Sequence, residues 1–162
     1  MEDNYYEEAE YASFWLRLAA YIIDGFIINI ALYIVMLIFG ISAFTSIAGS
    51  EMLETGEPDP AAIASIASSI MMLIALGVVG TWLYYALQES SEAQATLGKR
   101  AVRLRVTDLD GERISFGRAT GRYFGKILSG LVFMIGYIMA LFTEKKQALH
   151  DIIAGTIVLR DV

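Results

Sequence analysis

Three stretches of this chain run without a charge: Gly25 to Ser50, Pro60 to Gln88 and Ile127 to Thr143, which are 26, 29 and 17 residues long. The first two exceed the roughly 20 apolar residues that a helix needs to cross a bilayer, and the third falls short of it. The pattern therefore predicts an all-α membrane protein with two full transmembrane helices, at about 14–39 and 61–88. Ser13 is a natural N-cap for the first, and Phe14, Trp15 and Tyr21 suit a headgroup interface at its start. The second begins at Pro60, as prolines near helix starts do, and ends in Trp82, Tyr84 and Tyr85. Between them, residues 42–60 read as a loop with four acids, two prolines and no Lys or Arg.

From Glu89 to Lys126 the pattern changes, because eight of the twelve basic residues fall there. By the positive-inside rule this stretch and the N-terminus face the cytoplasm, and the acidic loop faces outward. Val102, Leu104 and Val106 alternate with Arg103 and Arg105, and Asp110-Gly111 then offers a turn before Arg113 to Phe116. That predicts a small cytoplasmic β-hairpin. Arg118, Arg122 and Lys126 then recur every four residues beside Gly117, Gly121 and Gly125. On a helix this sets a basic edge beside a close-approach edge, which predicts an interfacial helix contacting the phosphates of anionic lipid headgroups.

The third apolar segment, at about 119–143, spans the membrane or re-enters as a helical hairpin. The hairpin is favoured, because Lys145, Lys146 and Arg160 follow the segment and Thr156 to Leu159 resembles a strand seeking the cytoplasmic hairpin. A break near Gly130 or Gly136 would allow the return. The whole then divides into an acidic cytoplasmic tail, 1–13, and a single membrane domain, 14–160.

Composition sharpens this picture. At 56% hydrophobic against 19% charged, a soluble enzyme and a nucleic-acid binder are both poor candidates. With no cysteine, disulfides, thiolate metal sites and cysteine nucleophiles are excluded. The net charge of -6 comes largely from the tail, where Glu2, Asp3, Glu7, Glu8 and Glu10 lie. Such an acidic start also argues against a cleaved signal peptide.

Candidate chemistry centres on Asp24, the only charge between Leu18 and Ser50. It lies seven residues beyond Arg17, on the same helical face and about 10 Å deeper. An aspartate at the bilayer centre costs roughly 2.5–3.5 kcal/mol, so it faces protein or water. Two readings follow: a proton or monovalent-cation site, or a structural pair with an arginine or lysine. His150-Asp151 is a second polar pair, with His150 as an accessory proton relay or Asp151 as a simple cap. No serine is placed for a triad, no spacing of acids matches a metal motif, and Gly98-Lys99 lacks the rest of a phosphate loop. No catalytic residue, metal or cofactor is expected.

Three motifs resemble the RDD family of small membrane proteins, named for one arginine and two aspartates. They are Phe14 to Asp24, the run Ala95-Thr96-Leu97-Gly98-Lys99-Arg100 followed by Leu104-Arg105-Val106 and Asp110-Gly111, and Gln147 to Asp151 with Ala154-Gly155-Thr156. The resemblance implies that Arg17, Asp24 and Asp151 are the characteristic charges, with Arg17 and Asp151 meeting if the C-terminus is cytoplasmic. It also implies a presumed transport role, with cation/proton exchange associated with some members. The first expectation is thus a homo-oligomeric small transporter or transporter subunit in the plasma membrane, with Asp24 as its ion site. The alternative is a non-transporting adaptor or assembly protein that binds anionic lipid or a partner protein.

Overall fold

The computed structural model of the chain describes residues 10–48, 56, 59–131 and 135–161. The tail acids Glu2, Asp3, Glu7 and Glu8, and Glu51, Glu54, Glu57 and Pro58 of the acidic loop, lie outside these residues.

Two long helices follow from the two long apolar runs. Helix α1 (Phe14–Ala48) starts where the Ser13 hydroxyl accepts the Leu16 amide at 3.4 Å. It passes the expected end at Phe39, because the glycine, serines and threonine beyond lower helix propensity without removing an amide or clashing as proline would. Helix α2 (Pro60–Glu89) starts with proline at its first position and with Asp59 Oδ1 accepting the Ala61 amide at 2.8 Å. At 35 and 30 residues the two extend about 52 and 45 Å, more than a bilayer core requires.

The polar segments build a small sheet that is not the expected hairpin. Helix α3 (Leu97–Ala101) leads into β2 (Leu104–Asp108), and β2 pairs antiparallel with β3 (Thr156–Arg160), from Leu104 opposite Arg160 to Asp108 opposite Thr156. A two-residue strand β1 (Glu10–Tyr11) covers the other edge of β3, giving the order β1-β3-β2. Of the hairpin only one bridge forms, Thr107 with Arg113. The reason is local: Asp108 Oδ1 accepts the amides of Asp110 and Glu112, closing the turn tightly, and Ser115 then caps helix α4 (Phe116–Leu131) through the Arg118 amide. Too few residues remain for a second strand. Of the stretch 1–13, Glu10 and Tyr11 belong to the sheet.

The segment 119–143 is not one continuous span. Helix α4 ends at Leu131, and after residues 132–134, outside the described set, a short helix α5 (Ile135–Ile138) continues into a 3-10 turn at Met139–Leu141. This part lies back against α4: the Tyr137 hydroxyl donates to the Lys126 carbonyl at 3.1 Å, and a Cβ on Gly136 would stand 2.7 Å from Ser129 Cβ. Helix α6 (Leu149–Ala154) ends on Gly155, whose φ of 60° is the left-handed conformation that glycine adopts readily, and β3 follows.

The chain divides into two compact units. Met1–Gly25 with Trp82–Val162 holds the sheet and the short helices, and Phe26–Thr81 holds the long apolar parts of α1 and α2. In the first unit, Ala12, Ala20, Ala86, Leu104, Val106, Ile114, Ala119 and Val158 form a buried core, with Leu16, Trp82 and Val102 against it. In the second, the apolar side chains face outward: Phe26, Phe44 and Met71 are 68%, 69% and 68% exposed.

Candidate functional site

Asp24, near the third turn of α1, is fully buried, and the motif around Thr96 explains how. Its Oδ1 accepts the Tyr84 hydroxyl and the Gly98 amide, both at 2.7 Å, and its Oδ2 accepts the Thr96 hydroxyl at 2.5 Å. Thr96 is also the N-cap of α3, accepting the Lys99 amide on the same oxygen at 3.4 Å. One threonine therefore both starts the short helix and locks it to α1. Glycine at 98 is a steric requirement, since a Cβ there would lie 2.3 Å from the Ala20 carbonyl oxygen and 2.7 Å from Asp24 Cγ. Among the described residues, the groups hydrogen-bonded to Asp24 are all uncharged.

The other two characteristic charges join a separate network. Arg17 Nη1 meets Asp151 Oδ2 at 2.5 Å, and Arg122 approaches Asp151 Oδ1 through Nε at 2.8 Å and Nη2 at 2.7 Å. Arg122 also reaches Glu89 Oε2 through Nη1 at 2.7 Å, and Lys99 and Lys126 meet Glu89 Oε1 at 2.6 and 3.3 Å. Arg122 thus forks between two carboxylates, a geometry that its planar guanidinium allows and lysine would not. Lys126 also stands 3.9 Å above the Tyr85 ring.

Arg122 and Lys126 therefore do not reach outward to lipid phosphates as the helical stripe implied. Arg122 is only 2% exposed, and Lys126 is turned to Glu89. Arg118, of the same stripe, is exposed and pairs with Asp108 at 3.2 Å. The stripe was legible, but which side faced protein depended on where Glu89 lies. On the neighbouring edge only Gly125 makes a close approach, with a Cβ there falling 3.1 Å from His150 Cβ, while Gly121 faces open space.

His150 is buried between Ser129 and Asp151, with Nδ1 3.3 Å from Ser129 Oγ and Nε2 3.5 Å from Asp151 Oδ1. Burial is the larger influence on its ring, lowering the pKa to about 3 despite Asp151, so the ring is neutral. The order of groups is that of a nucleophile triad, which the sequence did not reveal. Ser129 is fully buried and donates to the Gly125 carbonyl at 2.9 Å, and Asp151 is already held by two arginines. Burial alone would raise the Asp151 carboxyl, but the guanidinium groups of Arg122 and Arg17 hold it well below the usual carboxylate range. Lys99 shows the opposite balance, since burial and Arg122 outweigh Glu89 and lower its pKa to about 7.

Sequence reasoning missed Glu89, Tyr84 and Thr96. Glu89 carried a usable signal, being the lone acid that closes a 29-residue uncharged run just ahead of the basic segment. Thr96 lay inside the motif from Ala95 to Arg100 and Tyr84 carried no signal, and neither hydroxyl is tied to Asp24 except through the fold.

Two long apolar helices, and a unit in which Arg17, Glu89, Lys99, Arg122, Lys126 and Asp151 are mutually paired, make a mostly helical protein. The chain belongs to the RDD family, whose sequence model matches residues 11–155. It is 41% identical over 145 residues to the uncharacterized protein YxaI of Bacillus subtilis, covering 90% of this chain and 94% of that protein. It is also 26% identical over 156 residues to the uncharacterized protein YckC of the same organism, covering 91% of this chain and 83% of that one. A proline-rich antigen of Mycobacterium leprae is 26% identical over 153 residues, and there the match spans 60% of the relative. No solved structure matches the chain.

Proposed function

We propose that the chain is an integral protein of the plasma membrane, with both termini and the sheet on the cytoplasmic side. In this reading it acts as a non-transporting adaptor or assembly protein without enzymatic chemistry. Two helices long enough to span, with large apolar side chains facing outward, support the membrane setting. Eight basic residues on one side against none in the other loop support the orientation. Pairing of β3 with β1, which directly precedes α1, supports a shared side for the termini. An impermeant reagent tests this with Val162→Cys, the chain having no other cysteine; labelling from outside intact cells overturns it.

The observation that carries the adaptor reading is that each characteristic charge already has protein partners. A cation entering at Asp24 would have to displace donors from Tyr84, Thr96 and Gly98, while Arg17 and Asp151 already neutralise each other. The trio are fastenings between distant segments, and the partner is an anionic lipid or another membrane protein, including further copies of the chain.

A second reading, a small transporter or subunit exchanging a monovalent cation for a proton through Asp24, is favoured by one observation: Asp24 and Lys99 line the same cavity. Purified protein in vesicles separates the two. The adaptor reading expects no cation-driven proton flux, and reduced abundance for Arg17→Gln and Asp151→Asn. Flux in the wild type that disappears in a folded Asp24→Asn variant overturns it in favour of transport.

A further inference from the structure

The cavity that Asp24 borders has a volume of about 280 Å3, and its charge is lopsided. Four cations line it, Arg17, Lys99, Arg122 and Lys126, against the single carboxylate of Asp24. Both Asp24 oxygens are already occupied by the donors described above. Glu89 and Asp151 neutralise the cations from behind, without forming part of the lining. With Lys99 protonated, these four cations stand against the three carboxylates of Asp24, Glu89 and Asp151, leaving one positive charge uncompensated.

A second observation points the same way. Arg17 Nη2 is buried and has no hydrogen-bond partner among the described residues. An uncompensated buried charge and an unpaired buried donor are both costly, and one oxyanion would relieve both. The rest of the wall is unsuited to a free hydrated ion, because Phe14, Leu18, Tyr21, Tyr137 and Ala140 make most of it apolar and aromatic.

We propose that this cavity binds a singly charged oxyanion carrying an apolar tail, with its head drawn to Arg17 and Lys126 and its tail along Phe14, Leu18 and Tyr21. A carboxylate or a phosphodiester supplies that head, so a fatty acid and an anionic phospholipid are its two sources. The volume accommodates the head and the first part of a chain, and the remainder lies in the bilayer. This rests on the membrane setting proposed above, and holds whether the protein transports or not.

The test uses the full chain purified in neutral detergent slightly below neutral pH, followed by native mass spectrometry and thermal unfolding. The probes are phosphatidylglycerol, phosphatidylcholine, dodecanoate and inorganic phosphate. Expected are one-to-one adducts, with a raised melting temperature, for phosphatidylglycerol or dodecanoate and not for phosphatidylcholine; the tighter of the two names the source. Arg17→Gln weakens binding by about tenfold or more, as loss of a charge-assisted hydrogen bond does. Leu18→Trp fills the apolar wall while leaving every ion pair in place, and abolishes binding even if Arg17→Gln does not fold. Equal binding of charged and neutral lipid, phosphate binding as tightly as the tailed anions, or undiminished affinity in Leu18→Trp overturns the proposal. Release of the protein from membranes by alkaline carbonate would instead overturn the membrane setting, so the two failures are distinguishable.

Discussion

At the scale of single residues, burial and partner decide what each charge does. Arg122 is the hub, shared by Glu89 and Asp151. Arg122→Gln leaves two buried carboxylates short of a partner, and should cost about 3–5 kcal/mol of stability in detergent. Arg118→Gln, on the same helical stripe, loses only an exposed pair and should cost about 0–1 kcal/mol. Thermal unfolding of the two variants side by side checks this, and equal losses would contradict the buried network. Asp24→Asn places an amide N–H2 against the Gly98 amide or the Thr96 hydroxyl, and the unmatched donor should cost about 1–3 kcal/mol by the same measurement. Position 24 stood out in the sequence as an isolated charge, but the donors that surround it come from residues 84, 96 and 98, which no local pattern ties to it.

At the scale of elements, glycine positions separate segments that touch from segments that do not. Gly98→Ala forces a methyl group against the Ala20 carbonyl and Asp24, so α3 must move off α1; a loss of about 1–3 kcal/mol or more is expected. Gly121→Ala, in the open middle of α4, should leave stability unchanged or raise it by about 0.5–1 kcal/mol. Yield and melting temperature of the purified variants read both. The long helices were legible because an uncharged run longer than 25 residues has few other solutions. The strand expected at Thr156 to Leu159 does form and pairs directly with β2, whereas the hairpin partner expected at Arg113 to Phe116 does not, because alternation marks a strand but not its partner.

At the scale of the whole molecule, the buried network sets the response to pH. His150 and Lys99 both have folded values below their ordinary ones, about 3 against 6.5 and about 7 against 10.5. Between each pair of values the unfolded chain holds a proton that the folded chain does not, so stability rises with pH through both windows. Asp151 has the same sign: its contribution is complete above the ordinary carboxylate pKa of 3.8 and is lost as pH falls below it. The melting temperature should therefore climb from acid pH to mildly alkaline pH. His150→Leu should flatten the lower part of the climb and Lys99→Met the upper part. A melting temperature that falls above neutrality in the wild type would contradict the burial of Lys99.

The order of apolar and charged segments by itself determined the two long helices, the concentration of basic residues between Glu89 and Lys126, the family motifs and the prominence of Asp24. These properties follow from local composition, which needs no knowledge of distant neighbours. Only the tertiary structure decided that Arg17 and Asp24 take separate partners, that Arg122 turns inward to Glu89 and Asp151, and that four cations gather around one cavity. Pairings between buried charges depend on which chain segments meet after folding, and residues 17, 89, 122 and 151 are too far apart in sequence for helical or strand periodicity to connect them.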